Sequence, residues 1–246
     1  MGAKCQLKIN NQIFISMLKL KNLISEQNGG PRQIKRLAYD MDGVLSDFEK
    51  QFGVYLRNDR LWDAAVRHKK AISNKKLAAT GLTKEQFIAK SNEIRQQVIN
   101  GDGDEIEVLK DLFKSTFNSY SPGWTMVSFG GVDFWAGMEW MPGGQELVKY
   151  VEALPTPKCV LTAGAGEKAK IGKMTWLKNH GMGHYANSQD FTIVNAGRMK
   201  GEEARPGDLL IDDKPENVEL FKAAGGMGIL HTDTPSTIAQ LKKYYE

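Results

Sequence analysis

The sequence predicts an α/β protein: a largely parallel sheet with helices on both faces, and a helical cap inserted into it. Three observations carry that prediction. Five short apolar runs, at residues 36–40, 158–162, 191–194, 208–212 and 227–230, read as buried strands. Helical patterns at 144–154, 168–180 and 216–224 lie between them, the first ended by Pro155 and the last by Gly225-Gly226. Strands that alternate with helices imply parallel pairing with both sheet faces covered. The interval 49–135 breaks the alternation, because it is long, charged and mostly helical.

Taken in order, residues 1–35 read as an N-terminal appendage. Apolar alternation at 6–9 and 12–15 around Asn10-Asn11 suggests a hairpin, and Met17, Leu18, Leu20, Leu23 and Ile24 follow at helical spacing until Gln27-Asn28-Gly29-Gly30-Pro31. The core is assigned to 36–48 and 136–246, and the cap to 49–135. Within the cap, Thr83-Lys84-Glu85-Gln86 has the pattern of a capping box ahead of Phe87 and Ile88. Its last stretch, from Ser121 to Trp135, is rich in glycine and aromatic residues, a composition suited to a ligand site.

A chain of 246 residues can bury a core and still carry an insert. Apolar residues at 41% and charged residues at 25% are ordinary for a globular protein and exclude extensive disorder. The net charge of +4 is too mild and dispersed to indicate stable nucleic-acid binding. Arg67-His68-Lys69-Lys70 with Lys75-Lys76 is the densest basic stretch and reads as a solvated helix face or a grip on a phosphorylated ligand. Two cysteines, Cys5 and Cys159, suit a reducing cytoplasm, and no apolar run is long enough for a membrane span or a secretory signal. The expectation is a cytoplasmic protein. The four histidines have no zinc-ligand spacing, and Asp102-Gly103-Asp104-Glu105 lacks the remaining positions of an EF-hand loop.

The chemistry is concentrated at strand ends. Leu37-Ala38-Tyr39-Asp40-Met41-Asp42-Gly43 places two carboxylates two residues apart where an apolar run gives out. Like charges at a partly buried strand end repel and are poorly solvated, so they call for a metal ion or a proton; the alternative is a solvated Asp-Gly turn. Leu209-Leu210-Ile211-Asp212-Asp213 repeats the arrangement. Val160-Leu161-Thr162-Ala163-Gly164 ends a strand in a hydroxyl and small residues, either a phosphoryl-oxygen ligand or a helix cap. Lys168, Lys170 and Lys173 on the next helix read as a cation for an oxyanion or as a solvated helix face. Hard oxygen ligands, a nucleophile, an acid and a charge clamp are what magnesium-assisted phosphoryl transfer requires.

In order and spacing, Asp40-Met41-Asp42-Gly43-Val44-Leu45, Thr162, a lysine and Asp212-Asp213 resemble the four motifs of the haloacid dehalogenase (HAD) superfamily of phosphohydrolases. Together with Met141-Pro142-Gly143-Gly144, Lys173-Met174-Thr175-Trp176 and Lys214-Pro215, the chain looks most like the 5'(3')-deoxyribonucleotidases. It carries Lys214 where that family usually has arginine, and its 163–167 loop lacks the usual serine-proline. The resemblance implies a Rossmann-like, HAD-like core and hydrolysis of a phosphomonoester through an aspartyl-phosphate. It also implies Asp40 as nucleophile and Asp42 as acid and base. Mg2+ would be held by Asp40, the Asp42 carbonyl, Asp213 and Asp212. Gly43, Thr162, Ala163 and a lysine would bind phosphate; Lys173 is preferred on its match to the family block, with Lys168 and Lys170 as alternatives. Phe48, Phe129, Phe134 and Trp135, the aromatics nearest the two core–cap junctions, are the candidates for stacking on a base. The implied partner is a nucleoside monophosphate, and a homodimer is compatible with it. The competing readings are a phosphatase for another small ester or a nucleic-acid end, and a catalytically silent nucleotide-binding or assembly protein.

Overall fold

The computed structural model describes residues 34–68, 80–101, 104–117, 121–186 and 189–245. The hairpin and helix expected before residue 34, Cys5, the lysines at 69, 70, 75 and 76, and Asp102-Gly103 lie outside the described residues. Five strands are described: β1 (Arg36–Tyr39), β2 (Lys158–Ala163), β3 (Phe191–Val194), β4 (Asp208–Asp212) and β5 (Met227–Leu230). The described α-helices are α1 (Phe48–Leu56), α2 (Asp59–Arg67), α3 (Lys84–Ile99), α4 (Glu105–Phe117), α5 (Ser121–Ala136), α6 (Gly144–Glu152), α7 (Glu167–Asn179), α8 (Pro215–Ala223) and α9 (Thr234–Tyr245). The described residues divide into two compact units, one drawn from those within 34–46, 140–166 and 182–245, the other from those within 47–139 and 167–181.

The first unit is built on a five-stranded parallel sheet in the order β3-β2-β1-β4-β5. All five strands fall where the apolar runs predict them, because a strand buried on both faces needs an unbroken apolar sequence. Side chains alternate between the faces. Ala38, Cys159, Leu161, Val194 and Leu210 pack with Phe221 of α8 and with Met199 and Ala204 around the short 3-10 helix Gly197–Glu203. Tyr39 points the other way: its hydroxyl donates to Glu152 of α6 at 3.1 Å and its ring meets the edge of Tyr185. Helices therefore cover both faces, as alternation requires. Burial pushes the Cys159 thiol up to about 11, so it packs as a small apolar group rather than reacting.

β1 is central, with β2 on one side and β4 on the other. The chain thus reverses its direction of sheet growth beside β1, and the carboxyl ends of β1 and β4 flank the place where open α/β sheets bind ligands.

The second unit is helical, comprising α1 to α5 and α7. Its interior includes Trp62, Leu109, Phe113 and Phe117, with the Trp62 and Phe113 rings edge to face at 6.1 Å. Arg95 is buried against Trp62 and its Nε donates to Leu56 O at 2.6 Å, so its charge is neither bare nor in water. α5 is kinked at Gly131, where φ is 60°. The helix after β2, placed by the sequence in the 136–246 core segment, packs in this unit against α5. Gly172 allows that approach: a Cβ there would lie 2.5 Å from Trp135 Cβ and 2.7 Å from Val132 O.

The capping box forms as its sequence indicates, with Gln86 N donating to Thr83 Oγ1 at 3.2 Å and Thr83 N to Gln86 Oε1 at 2.9 Å. Replacing Thr83 by Ala removes one half of this reciprocal pair, and urea denaturation should show a loss of about 1 kcal/mol.

Candidate active site

β1 ends at Tyr39, but the amide of Asp40 still donates to Ile211 O of β4 at 3.0 Å, which keeps residue 40 in line with the strand. The following residues close into a tight loop. Met41 O accepts the amides of Val44, Leu45 and Ser46, and Gly43 N donates to Ser46 O at 2.9 Å. Gly43 stands at φ 78°, and a Cβ on it would lie 2.5 Å from an Asp213 carboxylate oxygen, so the backbone and the neighbour both demand glycine. Asp42 accepts a hydrogen bond from Ser46 Oγ at 3.2 Å.

Because β1 and β4 are neighbours, their terminal acids meet. One oxygen from each of Asp40, Asp212 and Asp213 lies within 4.8 Å of the others. Asp40 is 5% exposed and Asp212 is fully buried. The cation that holds them is Lys200, from the 3-10 helix before β4. Its Nζ is 2.6 Å from Asp40 Oδ2 and 2.6 Å from Asp212 Oδ2, and the side chain is 0% exposed. Asp212 is further tied down through Oδ1, which accepts from Lys214 N and from Asn217 Nδ2, each at 2.9 Å. Asp40 Oδ1 accepts from Met41 N at 2.7 Å. Lys214 Nζ reaches Asp213 Oδ2 at 3.1 Å from a largely solvated position, where such a pair contributes little.

Burial opposes the charge of Lys200, yet the carboxylates of Asp40 and Asp212 outweigh it and raise its pKa. Burial, and then repulsion from Asp40, raises Asp212 against the pull of Lys200. The same two causes push Asp213 up to about 7. A cluster of hard oxygen donors whose outermost member retains a proton near neutrality suits a cation such as Mg2+, which would take the place of that proton.

Asp40, Asp42, Gly43, Asp212 and Asp213 are thus brought together in the first unit. Thr162 is two residues beyond Val160, the β1-facing partner of Tyr39, so it and Ala163 lie at the same carboxyl end of the sheet. Thr162 is fully buried. Lys173, the expected phosphate lysine, belongs to α7 in the second unit, buried with Nζ 5.0 Å from the centre of the Trp135 ring. Phe48, Phe129, Phe134 and Trp135 are in that unit as well. Phe134 is fully buried, edge to face with Phe48 and Tyr55, so its ring is already occupied by packing. Phe48 also packs on Trp135 and on the exposed Trp124, while Phe129 keeps 39% of its surface.

Sequence reasoning missed Lys200, Asn217 and Ser46. Lys200 stands in a polar connection without periodicity. The available signal was electrostatic: three acids converging on adjacent strand ends need a cation, and the segment feeding β4 contains Arg198, Lys200 and Arg205.

No protein-family model and no curated protein matches the sequence. Among solved structures, the chain is similar to a protein described as a HAD-hydrolase from Bacillus subtilis, bound to magnesium. The identity is 14% and the TM-score 0.45, over 80% of this chain and 88% of that one. It is similar to a HAD-superfamily hydrolase of subfamily IA from Geobacter sulfurreducens at 16% identity and a TM-score of 0.43, over 82% and 89% of the two chains. A haloacid dehalogenase-like hydrolase from Xanthomonas campestris matches at 14% identity and 0.45, over 86% and 96%. No helix among the described residues is long and apolar enough to cross a membrane.

Two outcomes follow from the electrostatics. Lys200→Met strands two buried carboxylates, so urea denaturation should show a loss of about 3 kcal/mol or more at pH 8. Asp213 holds its proton more tightly folded than unfolded, so its contribution to stability falls as pH rises from about 4 to 7. A divalent cation competes with that proton. Thermal stabilisation by MgCl2 should therefore be larger at pH 8 than at pH 5.5, with apparent affinity falling by up to about tenfold per unit below pH 7.

Proposed function

We propose that this chain is a magnesium-dependent phosphomonoester hydrolase of the haloacid dehalogenase type that works through an aspartyl-phosphate, and that within this class it is a 5'(3')-deoxyribonucleotidase. The observation that carries the class is the buried Lys200 bridging Asp40 and Asp212 beside Asp213. Three carboxylates against the buried ammonium of Lys200 and the solvated one of Lys214 leave the cluster net negative when all are ionised, which favours a bound cation. The sequence blocks around Asp40, Met141, Lys173 and Asp212 support the narrower assignment.

In this reading Asp40, Asp213 and the Asp42 carbonyl would hold Mg2+, which would supply charge neutralisation to the bound phosphoryl group. Asp212 is saturated by Lys200, Lys214 N and Asn217, so it orients the lysine and steadies the cluster. Lys200 Nζ, 2.6 Å from Asp40 Oδ2, fixes that carboxylate in place and offsets charge on the phosphoryl oxygens. This is the role the sequence places on Lys173, and we assign it to Lys200 on its contact with Asp40. Thr162 donates to a phosphoryl oxygen, with Gly43 and Ala163 as the small residues that leave room for the same group. Asp40 attacks phosphorus as the ester P–O bond breaks, and Asp42 gives its proton to the departing oxygen. Water then attacks the phosphorus, passing a proton back to Asp42, and the bond to Asp40 breaks to release inorganic phosphate. Phe48, Phe129 and Trp135 are retained as the base-stacking residues of the nucleotidase reading.

Phosphate release should be measured with p-nitrophenyl phosphate, 5'- and 3'-deoxynucleoside monophosphates and sugar phosphates, with and without MgCl2. Turnover should need the metal, and Asp40→Asn should reduce it by at least about a thousandfold. Lys200→Ala should abolish turnover while Lys173→Ala retains it; the reverse result restores Lys173 to the site. Sugar phosphates turned over as well as nucleotides would leave a phosphatase and remove the nucleotidase.

A further inference from the structure

We infer that Ser46 is a positioning residue for Asp42, its buried hydroxyl setting the carboxyl group that delivers the proton to the departing oxygen. The inference deepens the phosphomonoesterase reading and depends on it. Asp42 lies half-buried in the loop just past β1. Ser46 is the opposite case. It is 0% exposed, and its backbone is fastened at both ends, its amide donating to Met41 O at 2.8 Å and its carbonyl accepting from Gly43 N at 2.9 Å. Residue 46 is bridged in antiparallel fashion to Trp140, and the adjoining Leu45 O accepts Met141 N at 2.7 Å. From this fixed point the Ser46 hydroxyl reaches Asp42 Oδ1 at 3.2 Å.

A hydroxyl suits the task chemically. Asp42 must be protonated before the ester bond breaks and ionised before water attacks. A serine can accept from the acid and donate to the carboxylate by rotating one O–H bond, so the same contact serves both half-reactions. An apolar residue at 46 would remove this hydrogen bond and its hold on the carboxyl.

The test compares kcat/KM on two aryl esters of similar shape. p-Nitrophenolate leaves without help, whereas phenolate, a far stronger base, needs the proton from Asp42. Ser46→Ala and the near-isosteric Ser46→Cys should lower kcat/KM on phenyl phosphate by roughly tenfold or more and on p-nitrophenyl phosphate by much less. Ser46→Thr should restore phenyl phosphate turnover, and adding Ser46→Ala to Asp42→Asn should cost nothing further. Equal losses on the two esters, or additive effects of the two substitutions, would overturn the inference and mark Ser46 as structural. Should the wild type hydrolyse neither ester with MgCl2, the phosphomonoesterase reading falls, and this one with it.

Discussion

The ammonium of Lys200, held between Asp40 and Asp212, is the interaction on which the site depends. Parallel pairing of β1 with β4 forces their terminal acids together in a region that water barely reaches. Without a cation, the ionised forms would repel across a low effective dielectric, and the pair would either protonate or part. Lys200 removes that conflict, and it is buried at no uncompensated cost because both of its partners are charged. The remaining acid, Asp213, lies at the edge of the cluster and carries the residual strain as a raised pKa.

This arrangement links fold to chemistry. The 3-10 helix that presents Lys200 is pinned to the sheet through Met199 and Ala204, and it meets α8 where Gly197 comes close to Asn217. A Cβ on Gly197 would stand 2.8 Å from the Asn217 amide oxygen. Asn217 in turn donates to Asp212. The lysine, the asparagine and the aspartate therefore form one rigid group behind Asp40, while the loop 41–46 forms another in front of it. Gly43 lets the two approach, since no other residue would leave room for the Asp213 carboxylate.

Much of this is legible before any coordinates. The strands could be read because burial on both faces demands continuous apolar runs, and Thr83 and Gln86 announced their helix start because capping is local. Asp40, Asp42, Asp212 and Asp213 stood out because acids at the ends of apolar strands are electrostatically costly. Lys200 did not, since a lysine in a short irregular connection looks like any solvated lysine. The lysines of α7 drew attention because they followed Thr162 directly, yet the helix that carries them packs against α5 through Gly172. An amphipathic pattern shows that a face is buried, and it does not name the partner.

Sequence alone therefore determined the sheet, the position of the acids and the class of chemistry they suit, because each follows from local apolar patterning or from charge placed where it is expensive. Tertiary structure alone decided which cation neutralises those acids, which aromatic rings are consumed by packing, and which hydroxyl steadies Asp42. Those outcomes depend on distances between residues remote in the chain, as with Lys200 and Asp40, and no local pattern encodes such a distance.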